Sequence, residues 1–259
     1  MNDIWAIVDE IADAARVETL RHFRQADLQT ESKRADFDPV TIADRGAEAV
    51  MREIIAKRRP DDAILGEEYG AADGTSGYTW VLDPIDGTRG YISGTPTWGV
   101  LISLADANGP VLGAIDQPYI GERFYGGPGR AEVTGPMGVR ALGVRNTAKV
   151  SDATLFTTFP EVGTPAEAKA FRRVADEVKL TRYGCDCYAY ALLAAGQIDL
   201  VIEAGLQAYD IQAPIAVIEA AGGIVTDWSG GPVHNGGRAL AAATPKLHRA
   251  ALELLAQTE

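Results

Sequence analysis

The chain has 259 residues, 46% of them hydrophobic and 23% charged, with a formal net charge of −12. That length can build one large domain or two joined halves without disulfide or metal staples, and the acidic balance argues against nucleic-acid binding, which basic patches lead. No apolar run is long enough for a membrane span, and the acidic, amphipathic start is unlike a signal peptide, so a cytoplasmic protein is expected.

In chain order, a helix is predicted from about Ile4 to Ala26, followed by a polar, loop-like stretch as far as Pro39. A second helix runs from about Thr41 to Lys57, with Ile42, Ala49, Val50 and Ile54 at helical spacing and Pro60 beyond its end. The run from Ala63 to Glu68 reads as a short strand entering a turn. Residues Thr79 to Asp83 read as a strand stopped by Pro84, which withholds a ladder donor. The apolar runs Trp98 to Asp106 and Gly109 to Pro118, punctuated by Asn-Gly, suggest paired strands, and strand-rich sequence continues to Leu142.

Beyond that point the pattern alternates. A strand (153–159), a helix (165–178), a short strand (179–184) and a helix (187–196) precede a strand (198–205), a helix (210–223) and a strand (224–228). That alternation reads as an α/β unit. The expected division is a strand-rich, helix-packed half with an antiparallel sheet, residues 1–140, and an α/β half, residues 141–259, with the site in a cleft between them. Cys185 and Cys187 are too few for a disulfide framework or a four-ligand zinc site and read as thiols in a reducing compartment.

Four separated acidic segments offer chemistry: Asp44 in the second helix, Glu67 and Glu68 after a strand, the turn from Asp83 to Thr88, and Asp210 at a helix start. Two aspartates three residues apart on a proline-stiffened turn can converge on one hard cation, and oxygen ligands of this kind suit Mg²⁺. Gly87 allows close approach of a ligand to the backbone, and Thr88 offers a hydroxyl and an amide suited to phosphate oxygens. Taken singly, each segment also has a plain structural reading. The turn fits a β-turn capped by its own aspartates, and Asp210 fits a helix N-cap matched by Gly222 and Gly223 at the far end. Asp44 fits a helix-surface charge, and Glu67 and Glu68 a solvated turn.

In order, PVTIADRGAE (39–48), GEEYG (66–70), WVLDPIDGTRGY (80–91) and YDIQAPIAVIEAAGG (209–223) resemble the signatures of the inositol monophosphatase superfamily across nearly the whole chain. The resemblance implies a layered αβαβα sandwich of the inositol monophosphatase and fructose-1,6-bisphosphatase type, an α/β fold with an α+β N-terminal half. It also implies hydrolysis of a small phosphorylated metabolite, two or three Mg²⁺ ions per site and a homodimer; the acidic balance and the lack of an apolar span leave no nucleic-acid or membrane partner expected. Glu67, Asp83 and the Ile85 carbonyl would hold one metal, and Asp83, Asp86 and Asp210 a second. A looser third metal would sit near Glu67, which is thereby drawn into catalysis, and Glu68 would support it. Asp44 and Thr88 would orient and deprotonate the attacking water, while Asp86, Gly87 and Thr88 would bind the phosphate. The demand is large, because phosphate monoesters hydrolyse so slowly that enzymes accelerate them by up to about 10²¹-fold, whereas a general base alone contributes about 10²–10⁴-fold.

Residues 83–104, 182–206 and 208–223 resemble most the histidinol-phosphate phosphatase branch, although a glycine is expected where Cys185 stands. Such a substrate carries an ammonium group and an imidazole, so acidic groups should face it. Asp186 and Glu203 fall in the substrate-contacting segments, Arg89 and Trp98 would line the same cleft, and Asp210 would also touch substrate. Glu203 would equally suit a polyol, so inositol 1-phosphate or a broad range of sugar phosphates is the alternative. A regulatory protein-binding role is the alternative of a different class. Arg182 fits either a phosphate neighbour or an interface. His22, His234 and His248 read as surface or packing residues, and Trp5, Trp80 and Trp228 as core.

Overall fold

The computed structural model describes residues 2–25, 30–32 and 39–257. Helix α1 (Asn2–His22) is followed by Arg24 in the left-handed region at φ 61°, which stops the helix short of the expected end; Ala26 lies outside the described residues. Where a polar loop was expected, β1 (Thr30–Ser32) and β2 (Pro39–Thr41) pair antiparallel. Helix α2 (Ile42–Arg58) starts from an N-cap at Thr41, whose hydroxyl accepts from the Ala43 amide, while the side chain of Asp44 accepts from the Thr41 amide. This reciprocal box satisfies donors that a helix start leaves open.

Eight strands form the larger sheet: β3 (Ala63–Gly66), β4 (Gly70–Ala72), β5 (Thr79–Asp86), β6 (Gly99–Asp106), β7 (Gly109–Gln117), β8 (Glu122–Gly127), β9 (Arg130–Gly135) and β10 (Gly138–Ala141). Their order is β10-β9-β8-β7-β6-β5-β3-β4, and every pairing is antiparallel except β3 with β5. Strand β5 does not stop at Pro84 as expected but runs on to Asp86. Its register against β6 slips between Asp83 and Asp86, so the residue without a donor sits in the irregularity rather than in the ladder. A five-residue helix, α3 (Thr88–Ile92), follows directly.

The smaller sheet holds β11 (Thr154–Thr157), β12 (Leu180–Tyr183), β13 (Leu200–Leu206), β14 (Ile224–Asp227) and β15 (Gly237–Ala242) in the order β12-β11-β13-β15-β14. Strand β15 was not expected, and it runs antiparallel to both neighbours, so the sheet is mixed rather than parallel. Its sequence, GRALAA, lacks the β-branched residues that mark strands; burial between β13 and β14 makes it one. The remaining helices are α4 (Pro165–Ala175), α5 (Cys187–Ala194), α6 (Ala208–Ala220) and the unexpected α7 (Pro245–Leu255), which has Thr244 as N-cap and proline in its first turn.

Alternation along the strands sets the layers. In β6, Val100, Ile102 and Leu104 face α1 and α2, while Leu101 faces the space between the sheets. In β13, Leu200 and Ile202 pack toward α4 and α7, and Val201 packs toward α5 and α6. The result is a five-layer α/β sandwich: α1 and α2, the larger sheet, α5 and α6, the smaller sheet, then α4 and α7. Helix α6 lies close on the larger sheet because Gly113 and Gly126 face its backbone, and a Cβ at Gly113 would come within 2.7 Å of the Ala213 carbonyl oxygen. No helix among the described residues is long and apolar enough to cross a membrane.

Candidate active site

Strand β5 delivers the acidic turn into the interior. Asp83 is buried, and its Oδ1 accepts from the Ile85 amide at 3.0 Å. Asp86 and Asp210 reach the same point, and carboxylate oxygens of Asp83, Asp86 and Asp210 all lie within 4.8 Å of one another. Each is also tied to backbone: Asp86 Oδ2 accepts from the Cys187 amide at 2.6 Å, and Asp210 Oδ2 from the Gln207 amide at 2.6 Å. Asp210 is therefore not the N-cap of α6 that its position suggested. Gln207 is the N-cap and Asp210 the N3 member of the box, a place from which its side chain turns back over the helix start.

Burial comes first in pushing the Asp83 carboxyl well above the usual range, followed by the charges of Glu67, Asp86 and Asp210. Burial does the same to Asp86, helped by Asp186 and Asp210 and opposed by the Cys187 amide. Glu67, from the turn after β3, thus adds its charge to the same cluster. Crowded carboxylates that offer only oxygen ligands fit a hard divalent cation, whose charge would relieve their mutual repulsion.

Asp44 is buried rather than on the helix surface. Thr41 donates to its Oδ2 twice, from the amide at 2.8 Å and the hydroxyl at 2.6 Å. Oδ1 faces the Thr88 hydroxyl at 3.4 Å, and that hydroxyl also lies 3.1 Å from the Ile85 carbonyl oxygen. Burial raises the Asp44 carboxyl to about 6, against the lowering effect of the Thr41 bonds. Gly87, between Asp86 and Thr88, has φ 88°, a conformation that glycine adopts without strain.

A cavity of about 310 Å³ opens onto Asp86, Gly87, Thr88 and Asp210 and extends to Arg89, Asp186 and Glu203. Glu203 is buried and accepts from the Thr158 amide at 2.8 Å and the Thr158 hydroxyl at 2.9 Å. Burial brings it up to about 7 against those bonds. Burial also raises Asp186, opposed by the Thr97 hydroxyl, which lies 3.4 Å from its Oδ2. Arg89 lies over the Phe159 ring, with 5.1 Å between the guanidinium carbon and the centroid. A larger cleft, about 640 Å³, lies beyond the smaller sheet, lined by Lys169, Arg173, Trp228 and Arg238 with none of the clustered aspartates.

Trp98 does not line the cavity. It is wholly buried with Phe23 and Tyr91, ring centroids at 5.2 and 4.8 Å, because an indole on the residue preceding β6 points into that aromatic cluster. Arg182 sits exposed on edge strand β12, outside the residues lining the cavity. Cys185 is half-buried and packs against the core between the sheets. No histidine lines the cavity, and His248 is buried against Thr226. Sequence reading missed Thr97, Thr158, Phe159 and the Cys187 amide, for which no local pattern exists. It also passed over Glu48, a buried carboxylate inside α2 whose one visible signal is its spacing to Arg52.

The chain matches the inositol monophosphatase family model over residues 4–259. It is 45% identical over 228 residues to a protein of Arabidopsis thaliana named bifunctional phosphatase IMPL2, chloroplastic, a match that covers 87% of this chain and 64% of that relative. It is 35% identical over 254 residues to the histidinol-phosphatase of Streptomyces coelicolor, covering 95% of this chain and 94% of the other. The solved structure of an inositol monophosphatase from Zymomonas mobilis superposes with a TM-score of 0.87 at 37% identity, covering 99% of this chain and 98% of that one. The fold and the acidic cavity thus belong together: the chain is a member of the inositol monophosphatase family and, by that membership, a phosphoric monoester hydrolase.

Proposed function

We propose that this protein is a Mg²⁺-dependent phosphatase that hydrolyses L-histidinol phosphate to L-histidinol and phosphate. The observation that carries this reading is the placement of two further carboxylates, Asp186 and Glu203, on the cavity that also exposes Asp86 and Asp210. Asp86 and Asp210 suit a phosphate held through cations, and Asp186 and Glu203 on the same cavity suit a cationic amine. The 35% identity to a protein named histidinol-phosphatase supports the same substrate.

In this reading Glu67, Asp83, Asp86, Asp210 and the Ile85 carbonyl would hold two or three Mg²⁺ ions, most of them supplied by residues 1–140 and Asp210 by residues 141–259. Bound there, Mg²⁺ supplies charge neutralisation for the phosphate oxygens and leaving alkoxide and lowers the pKa of water. The chain's own groups do the rest. Asp44, held by Thr41, accepts from the Thr88 hydroxyl, whose oxygen can then accept from an attacking water and pass its proton on. The amides of Gly87 and Thr88 bind phosphate oxygens, and Asp186 pairs with the ammonium group. Arg89, braced on Phe159, closes the cavity edge.

A second reading is an inositol 1-phosphate or broad sugar-phosphate phosphatase. It is favoured by Glu203, whose carboxylate would accept from polyol hydroxyls as readily as from an amine, and by the Zymomonas structure. A homodimer, a cytoplasmic location and a place in histidine biosynthesis go with the first reading. A purely protein-binding role would be left if Asp83→Asn removed turnover without any cellular consequence.

The test is phosphate release from L-histidinol phosphate and inositol 1-phosphate, with Mg²⁺ and with chelator, for the wild type and Asp186→Ala. Preference for histidinol phosphate that weakens in Asp186→Ala is expected. Equal or faster turnover of inositol phosphate would reject the substrate, and turnover undiminished in chelator would reject the metal dependence.

A further inference from the structure

The turn that carries Glu67 is built around a carboxylate from another element. Residues 67–69 join β3 to β4, whose Gly66 and Gly70 pair across the turn. Into it reaches Glu48 from α2, wholly buried. Its Oε2 accepts from the Glu68 amide at 2.6 Å, and its Oε1 accepts from the Tyr69 amide at 3.2 Å and from Arg52 Nε at 2.7 Å. Arg52 in turn donates from Nη2 to the Gly70 carbonyl. A Cβ at Gly66 would fall inside the Glu48 carboxylate, so the residue before Glu67 is glycine because Glu48 fills its side-chain space. The two peptide groups that follow Glu67 are therefore held by one buried ion pair, while the Glu67 amide itself donates to the Leu82 carbonyl of β5 at 3.2 Å.

We propose that Glu48, backed by Arg52, is a positioning residue that presents Glu67 to the divalent-cation site. The inference rests on the reading of Glu67 as a metal ligand. A carboxylate on a short turn loses conformational freedom when it binds a cation, and that loss weakens binding unless the turn is already ordered. Glu48 orders it from behind, with Oε2 accepting from one amide and Oε1 from another amide and a guanidinium. Groups that orient a metal's ligands typically carry about 10- to 100-fold in metal affinity. The competing view is that Glu48 only stabilises the β3–β4 hairpin, and it predicts lost stability with unchanged cation affinity.

The experiment is calorimetric titration of the chelator-treated full-length protein with Mg²⁺, for the wild type, Glu48→Gln, Arg52→Gln and Glu67→Gln. The half-saturating Mg²⁺ for phosphate release and the KM at saturating Mg²⁺ are measured in parallel. Glu48→Gln turns an NH₂ group toward donors, and Mg²⁺ affinity is expected to fall about 10- to 100-fold with KM unchanged. Arg52→Gln, which leaves the carboxylate in place, is expected to shift affinity the same way by less, and it serves as the variant if Glu48→Gln does not fold. Wild-type Mg²⁺ affinity in a folded Glu48→Gln protein, or in Arg52→Gln if that is the folded variant, overturns the proposal. Unchanged affinity in Glu67→Gln would instead overturn the assignment of Glu67 as ligand.

Discussion

The carboxyl carbon of Asp186 lies 2.6 Å from the point where a Cβ on Gly87 would stand. The two residues come from the acidic turn after β5 and the loop before α5, and both have positive φ, 88° at Gly87 and 47° at Asp186. For Asp186, which is not glycine, such a backbone stores about 1–3 kcal/mol that the surroundings must offset.

Gly87→Ala is expected to lose activity by about 10²-fold or more, since a shift of about 1 Å near a reacting centre can cost that much. It should also destabilise the fold by about 1–2 kcal/mol for the left-handed backbone alone, with the clash against Asp186 added. Thermal unfolding of Gly87→Ala, Asp186→Gly and the double variant would check the origin. The cost of Gly87→Ala should shrink in the Asp186→Gly background, and simple additivity would mean that the two residues do not compete for the space.

Asp44 and Thr88 should act as one unit. Asp44→Asn and Thr88→Val are each expected to lower kcat by about 10²–10⁴-fold at saturating Mg²⁺. The double variant should fall little further, because either change breaks the same contact. Steady-state kinetics decide this, and multiplying effects would show two independent roles.

Stability should depend strongly on a buried ion network away from the cavity. Asp116 is wholly buried, its Oδ1 accepting from Arg123 Nε at 2.7 Å and its Oδ2 from Arg16 Nε at 3.1 Å. Arg123 also bonds Asp9 and Asp13 of α1, at 3.0 and 2.7 Å, so the network ties that helix to β7 and β8. Asp116→Ala leaves a buried guanidinium short of a partner and is expected to cost about 3–5 kcal/mol in urea unfolding. A loss below about 1 kcal/mol would mean that Asp9 and Asp13 suffice.

His248 predicts a pH dependence. Burial holds its pKa below the ordinary imidazole value of 6.5, and its Nε2 lies 2.8 Å from Thr226 Oγ1. That hydroxyl donates to the Asp227 carbonyl at 2.7 Å, so it accepts from a neutral ring protonated on Nε2. The unfolded state binds the proton more readily, so this contribution is complete above pH 6.5 and is lost as pH falls toward the lower folded value. One proton limits the slope to about 1.4 kcal/mol per pH unit. Urea unfolding of wild type and His248→Gln between pH 7.5 and 5 should show the variant losing less on acidification; parallel curves would count against it.

What the sequence determined by itself is what neighbouring residues decide. Thr41 opens α2 three residues before Asp44, an Asn-Gly pair turns β6 into β7, and Gly222 at φ 92° follows the end of α6. Such signals depend on backbone donors and acceptors only a few residues away, and they place most of the elements. Four matters needed the tertiary structure. Asp44 and Thr88 meet across 44 positions, Asp210 arrives at Asp83 and Asp86 on a helix from beyond the larger sheet, and Trp98 turns into the aromatic cluster rather than the cleft. Strand β15 is of the same kind, a run of small residues made into a strand by its neighbours. A periodic pattern says that a residue faces inward. Only the packing of helices on sheets, set by contacts far apart in the chain, decides which inward-facing groups share a site.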